Sequence, residues 1–440
     1  MITVMRMLVR GGSRRERVRG RLMISGAALA TFLLCAAVTV LQVDDRVLGD
    51  FFTGDAQAVT ALGMAILVVP VMAFVHQVSR LASATRERRL AALRLAGATP
   101  RHVRRLGAYE GGWRALLGGL SGIAGYLVVA LVLSWSLGGG LPLISYVQGV
   151  TVLIAVTLAG ALSGTKAGGH VVSSPLGVVR RAEPAGPRAR DLVLVVVGIG
   201  AYALGIADKG RFMIGGVYGV ALLVVAGAVL LLFGLVLATA WLVRAAARQA
   251  GRRAATAESL LAARLMEADP RGWARALSVV GLTVFFSSAV GAQQAPIILE
   301  HGYDTDHMTA YLLIDLALLV ALATSAAALI VHQAEELLDH RQSFAVLAAS
   351  GAPVAALGRV LVRQAVTAAV PVCLVTALAG PAVVILSVPD IYRDHLDALG
   401  WVAARAVATA AIGVLTAVLV ARAARPLLRR ALDPDELRTE

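Results

Sequence analysis

Hydrophobic residues along the chain fall into long runs separated by shorter polar segments. The runs cover 22–43, 57–79, 112–135, 144–165, 191–207, 213–243, 276–297, 309–332, 365–388 and 400–421. About twenty apolar helical residues cross the roughly 30 Å hydrocarbon layer of a bilayer. Backbone amides find no water there, so a helix that bonds its own amides is the expected element. The pattern predicts an all-α polytopic membrane protein with about ten transmembrane helices. The run 191–207 is short for a crossing, and 213–243 is long enough to tilt or project. An eight-span count, with those two runs assigned otherwise, is the alternative.

The polar segments alternate in charge. Segments 1–21, 80–114, 166–190, 244–275, 333–363 and 422–440 hold most of the arginine, and 80–114 alone has nine Arg against Glu87 and Glu110. The intervening connections are short and acidic, with Asp44, Asp45, Asp50 and Asp55, then Glu300, Asp304 and Asp306, then Asp390, Asp394 and Asp397. Basic loops stay inside, which places both termini in the cytoplasm. Every loop obeys the alternation when ten spans are counted, which favours ten over eight. Trp135 and Trp401 fall where outer interface anchors would sit; filling of helix contacts explains them equally well.

The chain also repeats. Residues 86–99, RERRLAALRLAGAT, align with 340–353, HRQSFAVLAASGAP, at an offset of 254. Ala91, Leu93, Gly97 and Ala98 meet Ala345, Leu347, Gly351 and Ala352. The same offset carries 22–43, 57–79, 112–135 and 144–165 onto later apolar runs. The expected organisation is a cytoplasmic amphipathic lead-in helix (1–21), a first four-helix unit (22–165) and a linker with two spans and a basic segment (166–275). A second four-helix unit (276–421) and a cytoplasmic tail (422–440) follow. Parallel repeats of this kind imply two similar bundles about a pseudo-twofold axis.

Within the repeat, RERRLAALRLAGATPRHVRRLGAYE (86–110) is too basic to enter a bilayer and too regular for a slack loop. Leu90, Leu93, Val103 and Leu106 can line an apolar stripe, with Arg86, Arg89, Arg101, Arg104 and Arg105 pointing elsewhere. Gly97 suits the left-handed position that closes a helix. Thr99 can cap a new helix with Pro100 in its first turn. The reading is helix, tight corner, helix: a stiff elbow beneath the membrane, against the simpler alternative of a solvated, positive-inside connection. The second copy, with Gly351-Ala352-Pro353, favours a docking element.

Composition adds limits. The chain is 58% hydrophobic with mean hydropathy +0.78 and net charge +14. The charge is nearly all Arg, since Lys occurs only at Lys166 and Lys209, and it sits beside spans, so orientation rather than nucleic acid explains it. Cys35 and Cys373 lie inside apolar runs, which argues against a disulfide framework or a thiol metal site. Arg14-Arg15 is a weak twin-arginine echo, and 22–42 reads as a retained first helix. There is no G-x-x-x-x-G-K-[ST] loop, and no catalytic or metal-binding motif. Energy would come from a partner or an ion gradient.

The run Glu87, Leu93, Arg94, Gly97, Ala98, Thr99 and then Glu110 resembles the FtsX-like, or MacB-like, permeases, the membrane subunits of type VII ABC transporters. The second copy is more degenerate, with Arg341 for Glu87, Ala348 for Arg94 and Gln364 for Glu110. The 4+2+4 layout is similar to the ten-span Bce-like members. The resemblance implies a bacterial plasma-membrane permease, not itself an enzyme. Its partner would be a cytoplasmic ABC ATPase, two copies per permease, holding the ATP and magnesium. The elbows at 80–110 and 334–364 would take the ATPase force (mechanotransmission) and expel an amphipathic, peptide or lipid-like substrate, with antimicrobial or drug resistance the expected role. A non-transporting switch acting on a kinase or cell-wall hydrolase is the alternative. An ion-coupled transporter is a further one. The family's large extracellular domain has no counterpart, because 44–56 and 298–308 are about a dozen residues each.

Intramembrane polar groups are the remaining candidates. Asp315 and Arg405 lie near the outer ends of their spans. They form either a polar latch or, as the preferred reading, two side chains snorkelling to the surface. Gln293 and Gln294 face a lateral cleft or bond to neighbouring helices. Gly118, Gly119, Gly122 and Gly125 form a face for close helix packing. Segment 244–264 reads as a helical Arg stripe, suited to anionic lipid heads or simply obeying positive-inside.

Overall fold

The computed structural model describes residues 14–40, 42, 68, 71, 99–136, 143–173, 192–207, 216–301, 305–387, 389–394 and 396–426. No strand occurs among them. The helices are α1 (Arg14–Val40), α2 (Pro100–Ser136), α3 (Tyr146–Ser173), α4 (Val193–Ala207), α5 (Gly216–Arg252) and α6 (Ala257–Ala268). They continue with α7 (Pro270–His301), α8 (Thr305–Asp339), α9 (Arg341–Ala349), α10 (Val354–Ser387), α11 (Pro389–Asp394) and α12 (Ala398–Ala423).

Among the described residues, eight helices are long and apolar enough to cross a membrane: α1, α2, α3, α5, α7, α8, α10 and α12. Their outward surfaces carry large apolar side chains, among them Val132, Leu158, Phe233, Leu319, Leu378 and Val407. A water-soluble protein does not leave stripes of this extent uncovered. The chain is a multi-pass helical membrane protein. The run 57–79 lies outside the described residues apart from Val68 and Val71, both helical. The run 191–207 becomes α4, an apolar helix of 15 residues. At 1.5 Å per residue it reaches about 22 Å, short of a full crossing.

Two expected boundaries change. The connection 298–308 is mostly helix, because α7 continues to His301 and α8 starts at Thr305. The Arg stripe 244–264 is not one helix. α5 stops at Arg252, and Thr256 caps α6 by accepting from the Ser259 amide while Ser259 bonds back to the Thr256 amide. This reciprocal cap satisfies two amides and makes a fresh helix start stable at that point. Arg264 therefore sits on α6, 3.0 Å from Glu267.

Contacts divide the chain into two units, one holding Met1–Pro184 with Thr305–Ala317, the other Ala185–Asp304 with Leu318–Glu440. In the first unit α1, α2 and α3 pack pairwise. Glycine permits the closeness. A Cβ on Gly118 or Gly122 would fall 2.5 Å from the Ile24 carbonyl oxygen or 2.2 Å from that of Ala28. On the other side of α2, a Cβ on Gly111 or Gly164 would meet the carbonyls of Gly160 or Gly107 at 2.3 and 2.1 Å. The Thr39 and Tyr126 hydroxyls bond to each other, and Cys35 is buried nearby among Ala27, Val152 and Val156.

In the second unit α7, α10 and α12 pack on one another, and α5 lies against α7 and α10. Leu277, Val280, Val284, Ala369, Val372, Cys373, Ala410 and Ala417 form the shared core. Thr283 on α7 and Ser325 on α8 exchange a hydrogen bond of 3.0 Å, so small hydroxyls join α8 to α7 without any buried charge.

Candidate functional site

The elbow at 334–364 is fully within the described residues. α8 ends at Asp339, His340 makes the step, and α9 runs for only nine residues. Gly351 then takes φ +95°, the left-handed region where an L side chain is disfavoured. Its amide donates to the Ala348 carbonyl at 3.0 Å, and the Ala352 amide donates to the Leu347 carbonyl at 3.0 Å. This pair of bonds is a Schellman closure, which satisfies carbonyls a helix end would otherwise leave open. Pro353 follows, and its carbonyl accepts the amides of Ala356 and Leu357 as α10 begins. The corner expected at Gly351-Ala352-Pro353 is present.

The inner side of the elbow is anchored. Phe344 is buried among Leu337, Leu357, Leu361 and Ala424, with Leu265 and Leu347 packed against them. Helices α6, α8, α10 and the end of α12 thus all hold α9. The outer side presents Gln342, Ser343, Val346, Ala349 and Ser350, exposed and uncharged, with Val346 69% accessible.

Two further polar devices fix the root of the elbow. Glu336 on α8 is buried and accepts a 2.9 Å bond from Gln364 Nε2 on α10. His332, one turn earlier, places Nε2 3.8 Å from Glu336 and stacks edge-on against Trp273 at 4.8 Å. Gln364 stands where the offset from Glu110 falls, and the acid is now supplied from α8. Leaving a buried acceptor without its donor costs about 1–3 kcal/mol. Gln364→Leu should therefore cost about 2 kcal/mol, read as a lower thermal midpoint in detergent micelles, while Leu361→Met nearby stays close to wild type.

The second device is α6. Glu258 meets Arg359 at 2.6 Å with both carboxylate oxygens engaged, and Arg363 at 3.6 Å. Arg363 also donates to the Thr256 hydroxyl. The Arg359 hydrogen bonds hold the Glu258 carboxyl below its ordinary range. A lowered folded value means the contribution is complete above the unfolded value of about 4.5 and disappears as pH falls through the folded one. Amide exchange on α6 should rise on acidification past that point, and Glu258→Gln should remove this pH step.

In the first elbow, Arg86, Glu87, Leu93, Arg94, Gly97 and Ala98 lie outside the described residues. Thr99 does cap α2: its hydroxyl accepts the His102 amide at 3.4 Å, with Pro100 first in the helix. Arg101, Arg104 and Arg105 are exposed, as their positions away from the apolar stripe required. Glu110 pairs with Arg114 at 2.7 Å, and Arg114 reaches back to the Met23 sulfur on α1. Asp315 is half-buried in the first unit. Arg405 is half-buried in the second, its stem against Gly291. Gln294 is buried while Gln293 is exposed, so the two face different surroundings on α7.

The Glu336–Gln364–His332 cluster and the α6 strut were not singled out from sequence. The signal for the first was a His and a Glu four residues apart at the end of an apolar run. The signal for the second was Thr256 three residues before Ser259. Compared with known proteins, no family model, curated protein or solved structure matches this chain.

Proposed function

We propose that the chain is the permease subunit of an ATP-binding cassette transporter, driven by a separate cytoplasmic ATPase through its two elbows. The observation that carries this reading is the Gly351 elbow: a short helix closed by a left-handed glycine, packed on its inner side and bare on its outer side. A segment held this way passes a push on α9 into α8 and α10, whereas a slack loop would absorb it. α10 has 34 residues, about 50 Å, with Pro371 and Pro381 inside it, so it extends well past the hydrocarbon layer and reaches the elbow as one continuous helix.

Two observations support a repeated architecture at an offset of 254 residues. α2 starts at Pro100 and α10 at Val354, 254 residues apart. Gly118 packs on Ala27 in the first unit, and Val372 packs on Gly281 in the second, the same pair at the same offset. In this reading both termini are cytoplasmic, and each elbow meets one ATPase subunit. ATP-driven closure presses the elbows and shifts the spans to expel an amphipathic, peptide or lipid-like substrate from the outer leaflet. The short connection between α7 and α8 supports a substrate met in the membrane rather than in an external domain.

Affinity purification from the native membrane, with mass spectrometry of what accompanies the chain, tests this. A P-loop ATPase at about two copies per permease is expected. A preparation that holds full activity with no ATPase present would refute it.

A further inference from the structure

The last turns of α5 carry a feature that the coupling reading does not use. The candidate span on α5 is Leu222–Arg252, 31 residues. About twenty residues cross the hydrocarbon, so counting from Leu222 the apolar layer ends near Trp241. Indole favours that boundary, and the turns beyond it stand among lipid headgroups. Those turns place Trp241, Arg244, Arg248 and Arg252 three or four residues apart on one face. With Gln249 and Arg253 they line a cleft of about 500 Å³. Val243 and Ala247, on the opposite face, are buried in the core, so the helix cannot turn its arginines away.

Among the described residues the charge in this cleft is only partly balanced. Arg248 lies 3.4 Å from Glu267, and that carboxylate is shared with Arg264. Arg244, Arg252 and Arg253 have no carboxylate partner among the described residues. Guanidinium groups lining one cleft suit a phosphate, whose oxygens accept charge-assisted hydrogen bonds from them. Below the cleft the same helix exposes Val225, Val229, Phe233 and Leu237 at four-residue spacing. An anionic head above an apolar ridge is the shape of a phospholipid.

We propose that Arg244, Arg248 and Arg252, with Trp241 at their base, bind the phosphate of an anionic phospholipid whose acyl chains lie along the Val225–Leu237 ridge of α5. The positive-inside rule explains basic residues at this end of the helix. It does not explain their convergence on one cleft above an exposed apolar ridge. The site requires only that α5 crosses a bilayer and is independent of any ATPase.

Native mass spectrometry of the full chain, released from vesicles of equal phosphatidylglycerol and phosphatidylcholine, tests the site. The wild-type chain should retain phosphatidylglycerol in preference to phosphatidylcholine. Arg244→Gln with Arg248→Gln and Arg252→Gln should weaken that retention by roughly a hundred-fold, about five-fold for each basic side chain. Arg101→Gln with Arg104→Gln and Arg105→Gln removes the same charge from exposed positions on α2 and should leave retention unchanged. Equal loss in the two triple variants, or no preference in the wild type, would overturn the proposal. Displacement of the lipid by an equal concentration of inorganic phosphate would assign the cleft to a free anion and also overturn it.

Discussion

Gly351→Pro should lower the thermal midpoint of the protein more than any other single change in the elbow. Two losses combine. Proline fixes φ near −65°, against the observed +95°, and it removes the amide that donates to Ala348. Together these cost about 3 kcal/mol or more. Gly351→Ala keeps the amide and should cost about 1–2 kcal/mol, the penalty of a left-handed L residue. A Cβ there meets nothing within 4 Å, so that cost is purely conformational. Gly351→Asn should fall below Ala, since asparagine tolerates this region best among side-chain residues. The order Pro, Ala, Asn is the signature of the backbone argument. If Ala matches wild type in the same detergent melt, the corner does not depend on glycine. In the proposed permease, the Pro variant should also lose stimulation of the partner ATPase while still reaching the membrane.

The second large effect is expected in the first unit. Gly122→Leu puts a side chain where the Ala28 carbonyl oxygen and the Thr31 side chain already stand, 2.2 and 2.8 Å from the new Cβ. The first neighbour is backbone and cannot rotate away, so α1 and α2 must separate. Overpacking costs about 1–3 kcal/mol when side chains can adjust, and a backbone clash lies at or above the top of that range. Gly125→Leu is the matched control, one turn along the same helix with nothing within 4 Å. Gly122→Leu should reduce folded yield and thermal midpoint strongly, and Gly125→Leu should leave both unchanged. Equal behaviour of the two variants would remove the case for close packing of α1 on α2.

These two sites also mark how far the sequence could be read. The apolar runs located the long helices because a membrane helix needs only length and hydropathy, which are local properties. The corner at Gly351 was legible because a glycine followed two residues later by Pro353 has a local meaning in the backbone. The four-glycine face was legible as a packing surface, but not that Gly125 lies open while Gly118 and Gly122 touch α1. Helical periodicity is the same for all of them, and only the crossing angle separates them. The break between α5 and α6 was hidden because arginines recur at helical spacing on both sides of it. The capping pair Thr256 and Ser259 uses serine where glutamate is the usual signal. Glu336 and Gln364 are 28 residues apart, on different helices. Nothing local in either run indicates that Gln364 would donate a hydrogen bond to the buried Glu336.

The claim that α9 is a docking element is tested most directly by site-specific photo-crosslinking in the native membrane. A photoreactive residue at Val346 lies on the bare outer face of α9; one at Leu415 lies on the apolar surface of α12. The account predicts that Val346 captures a P-loop ATPase, that the adduct increases when ATP is trapped unhydrolysed, and that Leu415 yields lipid adducts alone. Crosslinking of Val346 to water and lipid only, with the native ATPases present, would contradict it.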